Sequence, residues 1–232
     1  INGCSAATAT VYTITVNSLA APTIAGDGAA CINIPGHVYT TEPGFAPYTW
    51  TITGGTITAG GTPADNTATV TWITSGLQNL TVIYANAGGC SPDQPTQYDV
   101  IVHALPVITI TPSVASPCAG STNNTYTTES TPGITGYTWV VTGGVITSGL
   151  GTSSITVTWA TAGAKTVSVN YTDANSCTAT APQVLNLTVN PLPTPTILSG
   201  PASVCLNSSG NIYTTQSGGG ISGYNWTILP AG

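Results

Sequence analysis

The sequence repeats itself every 87 residues, and that period limits what the chain can fold into more than any other feature. Tyr39, Tyr126 and Tyr213 stand 87 apart (126 − 39 and 213 − 126). Cys31, Cys118 and Cys205 keep the same step, as do Trp72 and Trp159. Cys4, Cys90 and Cys177 are spaced by 86 and 87 (90 − 4 and 177 − 90). The phrase "YTTEPGFAPYTW" at 39–50 returns as "YTTESTPGITGYTW" at 126–139 and "YTTQSGGGISGYNW" at 213–226. Several residue types holding one period define an array of repeated units.

The joints between units are also written three times, as "NSLAAPTI" (17–24), "HALPVITI" (103–110) and "NPLPTPTI" (190–197). Proline fixes φ and offers no N–H to a ladder, so these joints are expected to be short, stiff and extended. The chain therefore divides into four parts. Residues 1–20 are the C-terminal part of a preceding repeat, 22–105 and 107–193 are two whole repeats, and 195–232 are the N-terminal part of a following one. This implies a window from a longer repetitive polypeptide, its units forming an extended array.

Within each unit the pattern is β. "YTWTI" (48–52) sets Tyr48, Trp50 and Ile52 on one face, and "TATVTW" (67–72) does the same for Ala68, Val70 and Trp72. "KTVSVNY" (165–171) aligns Val167, Val169 and Tyr171. Alternation with period two among β-branched and aromatic residues marks half-buried strands. Gly-rich turns such as "TGG" (53–55 and 142–144) and "NAGG" (86–89) separate them. About seven short strands per 87 residues is the count an immunoglobulin-like sandwich needs. The second unit carries two extra residues before its first Trp (139 − 50 = 89) and two fewer between its Trp pair (159 − 139 = 20, against 72 − 50 = 22). Length changes of this kind belong in loops.

Composition narrows the function. Charged residues are 3% of the chain, against about 25% in typical globular proteins. There is one basic side chain, Lys165, and a net charge of −6 from scattered acids. Nucleic acid and anionic lipid surfaces need Lys and Arg to neutralise phosphate, so both are excluded as partners. The polar surface must be built from Thr, Ser, Asn and Gln, which suits a fibre or a glycosylated surface. Six Cys without a C-x-x-C pair point to disulfides and an oxidising, extracellular compartment. No apolar run is long enough for a transmembrane helix, and no secretory leader pattern is visible.

The stretches "VCLNSSGNIYTTQSGGGISGYNW", "ITSGLGTSSITVTWATAGAKTVSVNYTDANSC" and "NPLPTPTI" resemble the PKD-like, immunoglobulin-like tandem repeats of very large surface proteins of Bacteroidota. Those proteins are of gliding-motility or adhesin type and leave the cell by the type IX route. The resemblance implies all-β tandem sandwiches, a cell-surface location and a stalk or adhesin role. It carries no catalytic residues. The C-terminal sorting domain of such exports is not seen in this sequence.

Three disulfide patterns fit the period. Within a unit, Cys31–Cys90 and Cys118–Cys177 each span 59 residues (90 − 31 and 177 − 118). Across a joint, Cys90–Cys118 and Cys177–Cys205 each span 28. Between neighbouring units, Cys31–Cys177 spans 146. In an immunoglobulin-like topology the two Cys of one unit lie at opposite poles, roughly 25 Å apart for an eight-residue strand. A disulfide needs Cα atoms within about 7 Å. That favours the interdomain pair Cys31–Cys177, with Cys118 and Cys90 bonding to further units. The intradomain pairing stays open if the strands are placed differently.

Other polar residues lean to structure. His37 aligns with Asn124 and Asn211, and His103 with Asn190 and Asn17, exchanges that a ligand or a base would not tolerate. Glu42 and Glu129 give way to Gln216, so proton transfer is excluded there and hydrogen bonding at a strand edge fits all three. Asp27 in "GDG" aligns with Val114 and Pro201, and the sparse acids offer no clustered calcium ligands. No catalytic elbow, phosphate loop, metal cluster or cofactor fingerprint appears, and "GGGISG" (218–223) reads as a variable loop. Trp50, Trp72, Trp139, Trp159 and Trp226 are expected in the cores. Surface Thr supports strands and offers hydroxyls for glycans, and Asn79 and Asn170 open Asn-x-Thr triplets. The expected role is a non-enzymatic segment of an extracellular fibre or adhesin stalk. Its partners are then neighbouring repeats, other copies in a filament, and glycans. Two alternatives stand beside it: a module binding glycan or protein through loops 42–47 and 131–136, and an accessory segment of a larger secreted hydrolase.

Overall fold

A computed structural model describes residues 3, 8, 10–218 and 223–229 of the chain. Two compact units are found. The first comprises residues 1–107, 131–136 and 171–181, and the second 108–130, 137–170 and 182–232. Among the described residues every regular element is a strand, and no helix is long and apolar enough to cross a membrane.

The first repeat contributes β1 (Ala29–Cys31), β2 (His37–Thr40), β3 (Thr49–Thr53), β4 (Gly55–Gly60), β5 (Thr67–Trp72), β6 (Gly76–Ile83) and β7 (Thr96–His103). They form two sheets, ordered β1-β7-β6-β3 and β2-β5-β4. All pairs are antiparallel except β1 with β7, where Cys31 faces His103. The period-two pattern becomes the sandwich core. Ala68, Val70 and Trp72 of β5 are fully buried, and Leu80, Val82, Val100 and Val102 meet them from the other sheet.

The second repeat contributes β8 (Thr111–Pro112), β9 (Asn124–Thr127), β10 (Thr135–Thr142), β11 (Val145–Ser148), β12 (Ser154–Thr158), β13 (Gly163–Thr172) and β14 (Gln183–Val189). The sheets are β11-β12-β9-β8 and β10-β13-β14. A parallel bridge from Cys118 to Asn190 stands where β1 meets β7 in the first repeat. Beyond it, β15 (Ile197–Ser199) and β16 (Thr214–Thr215) make a two-stranded ribbon. Asn79 and Asn170, the two Asn of the Asn-x-Thr triplets, stand in β6 and β13.

Each core is pinned by one tyrosine–tryptophan pair. The indole N–H of Trp72 donates to Tyr39 Oη at 3.1 Å with the rings edge to face, and Trp159 does the same to Tyr126. All four side chains have no exposed surface. An indole can be buried only if its N–H finds an acceptor. The phenol 33 residues earlier supplies one in both repeats. Glycine makes room for the ring. A Cβ at Gly55 would lie 2.9 Å from Trp72, and one at Gly144 would lie 2.5 Å from Trp159. The preceding Gly54 and Gly143 turn the chain at φ 69° and 78°, a region that side chains disfavour.

Trp50 and Trp139 are buried too, and their indole N–H groups donate to the carbonyls of Asp65 and Thr152. Trp226 departs from the expectation. It keeps 52% of its surface exposed. Residues 191–218 and 223–229 supply only the β15–β16 ribbon, so no counterpart of β5 and β6, or of β12 and β13, lies over it among the described residues. Instead Trp226 and Tyr224 line an open groove of about 640 Å³ with Pro195, Ile197 and Gln216.

Candidate functional site

The cysteines sit at strand ends fixed by the sheet registers. Cys31 closes β1 opposite His103, the last residue of β7, whereas Cys90 precedes Thr96, the first residue of β7. An eight-residue strand separates such ends by roughly 23 Å, far beyond disulfide reach. The within-repeat alternative, Cys31–Cys90 and Cys118–Cys177, is therefore not formed. Cys31 is bonded instead to Cys177, with Cα atoms 5.7 Å apart and 146 residues between them in sequence. Cys177 belongs to segment 171–181, which packs within the first compact unit. Cys90, Cys118 and Cys205 are free thiols, so the cross-joint pairs are absent as well. Cys4 lies outside the described residues.

Cys90 and Cys177 are presented by the same turn. Asn86 Oδ1 accepts the N–H groups of Gly88 and Cys90, and Asn86 N–H donates to Cys90 O. Asp173 Oδ1 accepts from Asn175 and Cys177, and Asp173 N–H donates to Cys177 O. The residue before the cysteine is left-handed in both, Gly89 at φ 76° and Ser176 at φ 63°. An Asn or Asp side chain satisfies the turn's own N–H groups, which fixes the loop without help from the core. The signal is in the sequence, as "NAGGC" (86–90) and "DANSC" (173–177), an Asx residue four places before each Cys.

A second recurring arrangement ties the start of each repeat to its second strand. Glu42 accepts from the backbone N–H of Thr23 at 3.1 Å, from the hydroxyls of Thr23 and Thr41, and from Tyr84 Oη at 2.7 Å. Glu129 accepts from Thr109 N–H and Oγ1 and from Thr128 Oγ1. Gln216 repeats the set through its Oε1, taking Thr196 N–H and Thr215 Oγ1. Only an acceptor oxygen is common to all three, which is why an amide can replace the carboxylate. Desolvation alone would raise the Glu42 pKa, but the hydrogen bonds from Thr23 and Tyr84 outweigh it and hold the carboxyl at about 2. Burial first, then the neighbouring Glu42, pushes the Tyr84 phenol up to about 12. A carboxylate held ionised and saturated with donors is a structural acceptor.

Three tyrosines complete the tie. Tyr48, Tyr137 and Tyr224 each donate to the backbone carbonyl of Glu42, Glu129 or Gln216, at 2.8 Å in every case. Alternation assigns Tyr48 to the core face but does not reveal this bond. The sign of it is a Tyr placed two residues before Trp50, Trp139 and Trp226. In loop 42–47, Phe45 stacks on Tyr84 at 4.9 Å, while Pro43, Gly44, Ala46 and Pro47 are exposed. Of the other loop, 131–136, Gly133 approaches Ala174. Within "GGGISG", residues 219–222 lie outside the described residues.

The remaining polar candidates are isolated. His37 Nδ1 meets Asp27 at 3.1 Å, while its counterpart Asn124 donates to Val157 O and to Ser121. His103 accepts Ile32 N–H through its backbone carbonyl. Among the described residues no three His, Cys, Asp or Glu side chains come together.

Two immunoglobulin-type sandwiches with matched pins, ties and cysteine turns define the class of this chain as a tandem β-sandwich array. The family is shown by sequence: the profile of the PKD-like domain matches residues 104–187 and 191–232, more than half of the chain. The chain belongs to that family. No curated protein matches it. Among solved structures it is similar to the Escherichia coli adhesin FdeC, at 18% identity and a TM-score of 0.40, covering 75% of this chain and 66% of that one. It is also similar to the D00–D0 domain of intimin, at 14% identity and a TM-score of 0.37, covering 73% and 99%. A third similarity is to fibronectin(III)-like modules of Clostridium thermocellum CbhA, at 15% identity and a TM-score of 0.34, covering 74% and 95%.

Proposed function

We propose that the chain is a structural repeat segment of an extracellular fibre or cell-surface adhesin stalk. One observation carries the reading: the polar side chains that recur from repeat to repeat are engaged in fastening the fold to itself. Glu42, Glu129 and Gln216 tie strands, Asn86 and Asp173 frame turns, and Cys31 and Cys177 form a covalent staple. Repetition of fasteners without a repeated acid–base pair is what stalk architecture needs and what catalysis does not. The near-absence of Lys and Arg suits a hydroxyl- and amide-covered surface outside the cell. The disulfide requires an oxidising compartment.

The finer reading follows the sequence resemblance. The chain comes from a large surface protein of a Bacteroidota cell, exported by the type IX route and non-enzymatic. Its partners are neighbouring repeats of its own kind, with glycans on the Thr-rich faces. The test is to label intact source cells with an antibody to this chain and image them by electron microscopy. Label on the cell surface or on filaments is expected. Label confined to the cell interior, or reproducible hydrolase activity of the purified chain, overturns the reading.

A further inference from the structure

The cysteines fall into two conformational classes, and the one disulfide joins one member of each. The first class follows an extended segment. After Cys31, Ile32 N–H donates to His103 O, Asn33 N–H donates to Trp72 O with φ 61°, and Ile34 N–H returns to Cys31 O. After Cys118 the same bonds recur: Ala119 to Asn190 O, Gly120 to Trp159 O with φ 77°, and Ser121 to Cys118 O. Cys205 keeps the last of them, from Ser208, with Asn207 at φ 65°. The second class is the Asx-framed turn of Cys90 and Cys177. There even the sulfur is placed alike, 3.7 Å from Gly88 O in one turn and 3.8 Å from Asn175 O in the other.

The unbonded cysteines are therefore held in the geometry of the bonded ones. Cys118 is exposed where its bonded counterpart Cys31 is half-buried, and Cys90 is half-buried where its bonded counterpart Cys177 is fully covered. We infer that Cys118 and Cys205 are docking points for an Asx-framed cysteine of another PKD-like repeat, and that Cys90 is the docking point for a strand-end cysteine. The staple seen once at Cys31–Cys177 is a repeating, directional cross-link. Its rule is one cysteine of each class, never two of the same class. The inference takes its partner, a repeat of the same kind, from the stalk reading. That repeat is supplied either by the same polypeptide or by a second copy of this chain.

The chemistry is a two-electron oxidation. Two S–H bonds break and one S–S bond forms, while a small disulfide such as oxidised glutathione takes up the two electrons and two protons as two thiols. The class rule is tested with two variants of the full chain, both carrying Cys4→Ser. One adds Cys90→Ser and keeps only strand-end thiols free. The other adds Cys118→Ser and Cys205→Ser and keeps only the Asx-framed thiol free. Each is incubated in a glutathione redox buffer, alone and mixed, then run on non-reducing gels with disulfide peptide mapping. Each alone is expected to stay monomeric, and the mixture to give a mixed disulfide of the two variants through Cys90 and Cys118 or Cys205, with one or two copies of the Cys90 chain on each copy of the other. An intact Cys31–Cys177 peptide in both variants verifies folding. Dimers of one variant alone, or thiols that take up only glutathione in the mixture, overturn the rule. In native material, a cross-link that leaves the mass unchanged identifies the same polypeptide as the source, and one that doubles it identifies a second copy. Failure here leaves the cell-surface labelling result untouched, so the two readings fall separately.

Discussion

Removing the Cys31–Cys177 staple should change how far the chain can be pulled. The bond encloses a loop of 146 residues. At about 3.5 Å per extended residue, that loop hides roughly 500 Å of contour length from a force applied at the termini. The chain-entropy relation for a cross-link of this size gives about 5 kcal/mol of destabilisation of the unfolded chain at room temperature. The perturbation is Cys31→Ser with Cys177→Ser, or reductant on the unmodified chain. Single-molecule stretching reads the contour at detachment. The oxidised chain should detach about 500 Å short of the reduced chain, and the double variant should reach the full length with or without reductant. Equal lengths in all states would refute the staple. Two releases of roughly 200 Å each would refute it more specifically, because pairs separated by 59 residues, Cys31–Cys90 and Cys118–Cys177, would then carry the bonds.

Four further outcomes are expected. Glu42→Gln should cost less than Glu42→Ala at neutral pH, since Gln216 makes the equivalent acceptor bonds without the charge, whereas Glu42→Ala should cost about 1–3 kcal/mol in chemical denaturation by stranding the Thr23 and Tyr84 donors. The Glu42 carboxyl falls from 4.5 to about 2 on folding, so its ionised form favours the fold; that contribution is complete above pH 4.5 and fades as pH drops toward 2. Denaturation midpoints should show this loss in the parent chain and a smaller one in Glu42→Gln. Tyr39→Phe should cost about 1–3 kcal/mol, because it leaves the buried Trp72 N–H without its acceptor, and urea titration measures it. Acrylamide should quench a fluorescence component that Trp226→Phe removes, and Trp72 and Trp159, having no exposed surface, should resist quenching.

The faces of the strands were legible because burial and alternation are the same fact seen twice. Trp72, Val70 and Ala68 needed only the period-two rule. The exchange of Glu42 and Glu129 for Gln216 was also readable, since an amide shares the acceptor oxygen and lacks the proton chemistry. Trp226 was misjudged for an identifiable reason. Equivalence to Trp50 and Trp139 tells what a residue does beneath a complete second sheet, but burial also requires the strands that cover it. The glycines of "NAGG" mark a turn at 86–89, but the Asx framing at Asn86 and Asp173 comes from local side-chain bonds to the backbone, which leave no hydrophobic period. Tyr48 is legible by half: alternation locates its ring, but its hydroxyl, like those of Tyr137 and Tyr224, acts on a backbone carbonyl that no pattern marks.

The interchange of Asn and Asp, and of Gln and Glu, at these fasteners bears on chemical ageing. Asn and Gln side chains hydrolyse slowly to carboxylates. Direct hydrolysis of the Asn86 amide would produce the Asp that already frames the same turn at position 173, giving up the bond its amide nitrogen donates to Ser18 O. Hydrolysis of Gln216 would produce the Glu that already makes the tie at positions 42 and 129, giving up only the two bonds donated by its amide nitrogen. At both places the product of direct amide hydrolysis is a residue that another repeat uses for the same purpose, so the acceptor oxygen of the fastener outlasts the amide.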